Sequence, residues 1–173
     1  MRKLVSVFVL SASLSAAVNA FELDGNLDAA QKGYAIAVES DRRDQGWGDM
    51  TAELQMILID RKGRRSERKL RIRNLEVEGD GDKALTIFDA PRDVKGTAFL
   101  SFTHALEPDD QWLFLSALNK VKRISSENKS GPFMGSEFAF EDLSSFEVEK
   151  YTYEYIGEDK VGETECYASK LYP

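Results

Sequence analysis

Residues 53–73 read Glu-Leu-Gln-Met-Ile-Leu-Ile-Asp-Arg-Lys-Gly-Arg-Arg-Ser-Glu-Arg-Lys-Leu-Arg-Ile-Arg, and the period of that stretch decides the fold. Leu54, Met56 and Leu58 alternate with Glu53 and Gln55, and Leu70 and Ile72 alternate with Lys69, Arg71 and Arg73. A period of two sends successive side chains to opposite faces of a strand. Arg61-Lys62-Gly63-Arg64 lies between the two runs and has turn chemistry, so the stretch predicts an antiparallel hairpin with one oily and one charged face.

The same period continues toward the C-terminus. Glu78-Gly79-Asp80-Gly81-Asp82 reads as a turn and Ala84 to Phe88 as a strand, stopped by Pro91 because proline cannot donate to a ladder. Thr97 to Thr103 and Gln111 to Leu118 read as apolar strands, and Lys120 to Ser125 as another. Between Asn128 and Leu143 the alternation fails, and Gly131-Pro132-Phe133-Met134-Gly135 opens what reads as a mobile or short helical flap. Tyr151, Tyr153 and Tyr155 line one side of a strand, Gly157 to Gly162 turns, and Glu163 to Tyr172 runs back. On the N-terminal side, Leu27, Ala30, Tyr34, Ala37 and Val38 are spaced for a helix over Asn26 to Arg43, with Asn26 as its cap. The expected architecture is mainly β with a small helical part: one N-terminal helix, then a single curved antiparallel sheet of about eight strands with the flap over its concave face.

The first twenty residues stand apart. Arg2 and Lys3 precede the apolar run Leu4 to Ala17, and Val18-Asn19-Ala20 ends on a small residue, which is the pattern of a secretory signal peptide cleaved after Ala20. The expected domain is therefore residues 21–173, exported to the periplasm. Removing Arg2 and Lys3 leaves 21 basic against 30 acidic groups, a net charge of −9, which argues against a nucleic-acid partner. Eighteen aromatics in 173 residues supply a core. A single cysteine, Cys166, excludes an internal disulfide and suits a small buried hydrophobe.

The sequence offers little for catalysis. His104 is the only histidine, so no Ser or Cys nucleophile can be given a histidine base without it, and a surface hydrogen bond at a strand end is the simpler reading. Asp80, Asp82, Asp109 and Asp110 lack the spacing of an EF-hand loop and read as turn residues. Glu141 and Asp142 are adjacent and diverge in any regular element, which weakens a two-carboxylate reading. No enzyme, cofactor or metal is expected.

Binding is the better reading. Groove candidates are Leu54, Met56, Leu58, Leu70 and Ile72 of the hairpin, with Leu100, Phe102, Leu113 and Leu115 of the later strands. Phe133, Met134, Phe138 and Phe140 of the flap are either core or a flexible lid over an oily groove. Eight basic residues between Arg61 and Arg73 either keep an edge hairpin from pairing or contact anionic head groups or an acidic partner, with Arg64, Arg65 and Arg68 as the contact residues.

Four blocks carry a resemblance: Ile87 to Thr97 (Ile-Phe-Asp-Ala-Pro-Arg-Asp-Val-Lys-Gly-Thr), Asp110 to Leu118 (Asp-Gln-Trp-Leu-Phe-Leu-Ser-Ala-Leu), Lys122-Arg123-Ile124, and Gly131 to Phe138 (Gly-Pro-Phe-Met-Gly-Ser-Glu-Phe) with Glu141-Asp142-Leu143. In order and spacing, residues 45–173 resemble the LolA-like outer membrane lipoprotein-sorting family. The resemblance implies an incomplete LolA/LolB-like antiparallel barrel, a hydrophobic cavity for lipid or lipoprotein acyl chains, no enzymatic activity, and a monomeric periplasmic carrier. Some members of this branch resemble accessory proteins of RND-type exporters, so an adaptor for an inner-membrane exporter is the alternative. Relatives usually continue past the position of Tyr172-Pro173, and the chain reads as lacking C-terminal strands of the half-barrel.

Overall fold

A computed structural model describes residues 21–125 and 128–173; the signal peptide expected over residues 1–20 lies outside the described residues. Helix α1 spans Ala29–Arg43, followed by strands β1 (Asp49–Ile59), β2 (Arg65–Leu75), β3 (Lys83–Ala90), β4 (Ala98–Phe102), β5 (Asp110–Leu115), β6 (Lys120–Ile124), β7 (Thr152–Val161) and β8 (Thr164–Tyr172). Strands β1 to β6 form one antiparallel meander in sequence order, and β7 and β8 form a separate hairpin. The eight strands thus fall into six and two, not one sheet. Short 3₁₀ turns at Phe133–Gly135, Glu141–Leu143 and Val148–Lys150 occupy the chain between β6 and β7. That segment crosses the face of the meander, so β7 starts away from the β6 edge and pairs with β8, and α1 packs on β7.

Local chemistry explains the boundaries. The cap of α1 is Asp28, not Asn26: its carboxylate accepts from the Gln31 amide at 2.8 Å, and the Gln31 side chain accepts from the Asp28 amide at 3.0 Å. This reciprocal capping box satisfies two amides that a helix start leaves unpaired, whereas Asn26 pairs with Asp24. In the β1–β2 turn, Asp60 accepts from the amides of Lys62 and Arg64, both at 2.9 Å, and Gly63 takes φ +75°, where a side chain would be strained. The apolar run after Gln111 leaves the ladder at Leu115 and ends in a 3₁₀ turn closed by left-handed Asn119. The C-terminal hairpin turns at Gly162 rather than over Gly157 to Gly162, because β7 passes through Gly157 on a bulge. Cys166 is half-buried on β8.

Two cores follow. The larger contains Leu70, Phe88, Phe99, Leu113, Ile124, Phe133 and Phe140, and joins one face of the meander to the flap. The smaller contains Ala37 of α1, Val148 and Tyr153. Here Gly33 lets the helix sit on β7, for a Cβ at that position would lie 2.7 Å from Tyr153 Cβ.

Candidate functional site

The strand register sorts the candidate residues between the two faces of the meander. Residues directly opposite each other share a face. Leu54 pairs with Leu70, Leu70 with Phe88, and Ile72 with Thr86; in the next strands Thr86 pairs with Phe99, and Phe99 with Leu113. This is the flap face. Met56, Ile72, Leu115, Met134 and Leu143 pack against its core, and Leu58, opposite Ser66, continues the row toward the hairpin tip.

The flap closes on this face through aromatic packing and two polar clamps. Phe133, 1% exposed, lies 5.9 Å from the ring of Phe88 and 5.5 Å from those of Phe99 and Phe140. Pro132 and Ala139 bridge across the flap base, and the Phe133 amide donates to Phe138 O at 2.6 Å. Phe138 itself points outward, 55% exposed. From β5, buried Gln111 donates through Nε2 to Phe140 O at 3.2 Å and Ser144 Oγ at 2.9 Å. From β2, Arg68 donates to Met134 O while its guanidinium lies over the Phe88 ring. Arg68 therefore serves the flap and is not on the hairpin surface with Arg64 and Arg65. Met134 takes φ +50° and Gly135 φ +76°, so the flap's corner is a left-handed pair.

Leu100 and Phe102 fall on the other face. There they join Leu85, Ala98, Trp112, Phe114 and Val121 around an apolar hollow of about 480 Å³. Among the described residues no element packs over it, and Trp112 meets Phe102 edge to face at 5.4 Å. Five of these residues are absent from the groove candidates of the sequence. The signal was present: Ala98-Phe99-Leu100 and Trp112-Leu113-Phe114-Leu115 are apolar on both faces, as in strands with a dry layer on each side. The flap supplies one layer only.

A second, larger cavity of about 1,270 Å³ lies between the end of α1, the β2–β3 turn and Ser145–Glu149. It is acidic, with Asp41, Asp44, Glu76, Asp82 and Glu147 on its walls. Burial pushes the Asp82 and Glu147 carboxyls up, while Glu76 is held down by accepting from the amides of Gly46 and Gly48, both at 2.6 Å. At its margin His104 Nδ1 lies 2.8 Å from Asp80, which raises the imidazole and lowers Asp80 to about 2. Asp109 is bound to Lys150 and Asp110 to Arg123, so these carboxylates are structural partners. No group of three or more His, Cys, Asp or Glu side chains is placed to hold a metal among the described residues.

A family model described as uncharacterized-protein-like matches residues 80–173. The chain superposes with a TM-score of 0.80 and 56% identity on a structure from Vibrio parahaemolyticus named as an outer membrane lipoprotein-sorting protein domain. The chain belongs to the LolA-like lipoprotein-sorting family. A second solved structure, a DUF1329 family protein from Desulfovibrio piger, matches at 30% identity with a TM-score of 0.76. These alignments cover 83% and 85% of this chain but 61% and 62% of those chains. The chain thus spans about three fifths of the length of its solved relatives. No curated protein matches it. The open curved sheet with one helix near the N-terminus is the LolA-like incomplete barrel expected from the sequence.

Proposed function

We propose that this protein is a periplasmic, non-enzymatic carrier that seats an acyl chain of a lipid or lipoprotein in the hollow of β3–β6. The observation that carries this reading is the apolar layer that no described element covers: seven apolar side chains line an open depression of about 480 Å³, a volume within the range of small-ligand sites. Each methylene removed from water contributes about 0.8 kcal/mol, so about ten seated methylenes contribute about 8 kcal/mol before the cost of ordering the chain. No bond is made or broken, and no nucleophile or metal is required. The signal peptide read over residues 1–20 and the name of the Vibrio neighbour support the periplasmic setting.

The test is equilibrium binding of a fluorescent fatty acid to the wild type and to a Leu100→Asp variant. Leu100 is half-buried on the open face, so the variant folds, while a carboxylate in the hollow should weaken binding by about tenfold or more. Equal binding by the two proteins would overturn the placement of the site.

The hairpin tip supports a second reading, an adaptor that docks on an acidic partner such as an RND-type inner-membrane exporter. Arg61, Lys62 and Arg65 are exposed there, Arg64 pairs with Asp60, and Ile59 beside them is 65% exposed. Reversing charge at Arg64 and Arg65 should abolish co-purification with such a partner and leave acyl binding intact.

A further inference from the structure

The charged residues around the hollow are arranged in a way that acyl binding alone does not require. One register row crosses the open face as Arg73, Leu85, Leu100, Trp112, Arg123, so an apolar floor runs between two guanidinium groups. Lys83 stands on the same face, with its ammonium 4.8 Å from the centre of the Phe102 ring that lines the hollow. Not all of these cations are free. Arg123 is bound to Asp110, and the neighbouring Arg71 is held bidentate by Asp89 at 2.7 and 3.0 Å with Glu53 opposite it. Arg73 and Lys83 differ: among the described residues neither has a carboxylate at ion-pair distance. They are diagonal neighbours across β2 and β3, a spacing of roughly 7–8 Å that two long side chains can close on one anion.

We propose that the hollow takes a single-chain amphiphile with an anionic head group, a carboxylate or a phosphate, which Arg73 and Lys83 receive at the β2–β3 rim. The inference rests on the acyl-binding reading above and adds the chemistry of the head. Two features support it. The chain carries a net charge of −7, so anions are repelled in general; Arg73 and Lys83 stand out beside the hollow because, with Asp49 opposite Leu75 and Glu53 opposite Arg71 on the same face, neither cation is drawn into an ion pair among the described residues. A hollow of about 480 Å³ also lies in the lower half of the range for ligand sites, which suits one chain rather than several.

The experiment compares cis-parinaric acid with its methyl ester, which share a chain and differ in charge, by fluorescence enhancement on the full chain. Wild type should bind the acid about tenfold more tightly than the ester. The double variant Arg73→Gln, Lys83→Gln should lose that preference and bind the ester as before; both residues are exposed, so the fold is unaffected. Displacement of the acid by palmitate or by lysophosphatidylglycerol then distinguishes a carboxylate head from a phosphate head. Equal affinity for acid and ester in the wild type, or a preference that survives in the variant, overturns the head-group assignment and leaves the acyl reading standing. Binding of neither probe overturns the acyl reading itself.

Discussion

Replacing Phe133 by alanine tests whether the flap is a packed part of the fold. The ring is 1% exposed and touches three others, Phe88, Phe99 and Phe140, at centroid distances of 5.9, 5.5 and 5.5 Å. Phe→Ala in a core costs about 3–5 kcal/mol, from lost transfer energy and from the cavity left behind. The site has little freedom to collapse, because Arg68 and Gln111 fix the flap backbone from β2 and β5. Against a stability of about 5–15 kcal/mol, a loss near 4 kcal/mol is a large fraction. With a urea slope of about 2 kcal/mol per molar, the unfolding midpoint should fall by about 2 M. Urea denaturation followed by circular dichroism measures this directly. A loss below about 1 kcal/mol would mean that Phe133 spends its time in water and that the flap is a loose lid, not a packed part of the fold. Because the hollow lies on the opposite face, folded Phe133→Ala protein should still bind a fatty acid with wild-type affinity.

Two further predictions concern other parts of the fold. Gly33→Ala should destabilise by about 1–3 kcal/mol, since its Cβ would press on Tyr153 Cβ at 2.7 Å and on the backbone of β7, and a thermal melt reads the loss. The His104–Asp80 pair should give stability a pH dependence with two limits. The raised imidazole contributes fully below its ordinary 6.5, and this contribution is lost as pH rises through the folded value; the lowered carboxylate contributes above 3.8, and this is lost as pH falls toward about 2. Urea midpoints measured from pH 6.5 upward should fall in the wild type and lose that component in His104→Ala.

How much of this was legible in the sequence depended on how local the deciding interaction was. The period of residues 53–73 returned the β1–β2 hairpin because alternation and a turn residue at Gly63 are properties of adjacent residues. The start of α1 was also legible, in Asp28 followed three residues later by Gln31, although Asn26 is an equally good acceptor in isolation. Partition of the strands into six and two was not, since nothing in the composition of β7 says that it pairs with β8 alone and packs on α1. The candidate groove was half visible. Alternation placed Leu54, Leu70 and Leu113 on one face, but the flap covers Leu70 and Leu113 there and leaves Leu54 45% exposed, and the unfilled face belongs to strands that are apolar on both sides. Gln111, a polar residue at an inward position of such a strand, was the available sign that something polar, here the flap backbone, lay over it.

Fluorescence quenching reports whether an acyl chain lies on the open face of β3–β6. The chain has two tryptophans, Trp112 in the hollow and Trp47 in the loop before β1, beside the acidic cavity. In a Trp47→Phe variant, titration with a fatty acid brominated along its chain should quench Trp112 saturably, since bromine quenches at contact, while the unbrominated acid should not. Saturable binding that leaves Trp112 unquenched would place the acyl chain away from the hollow.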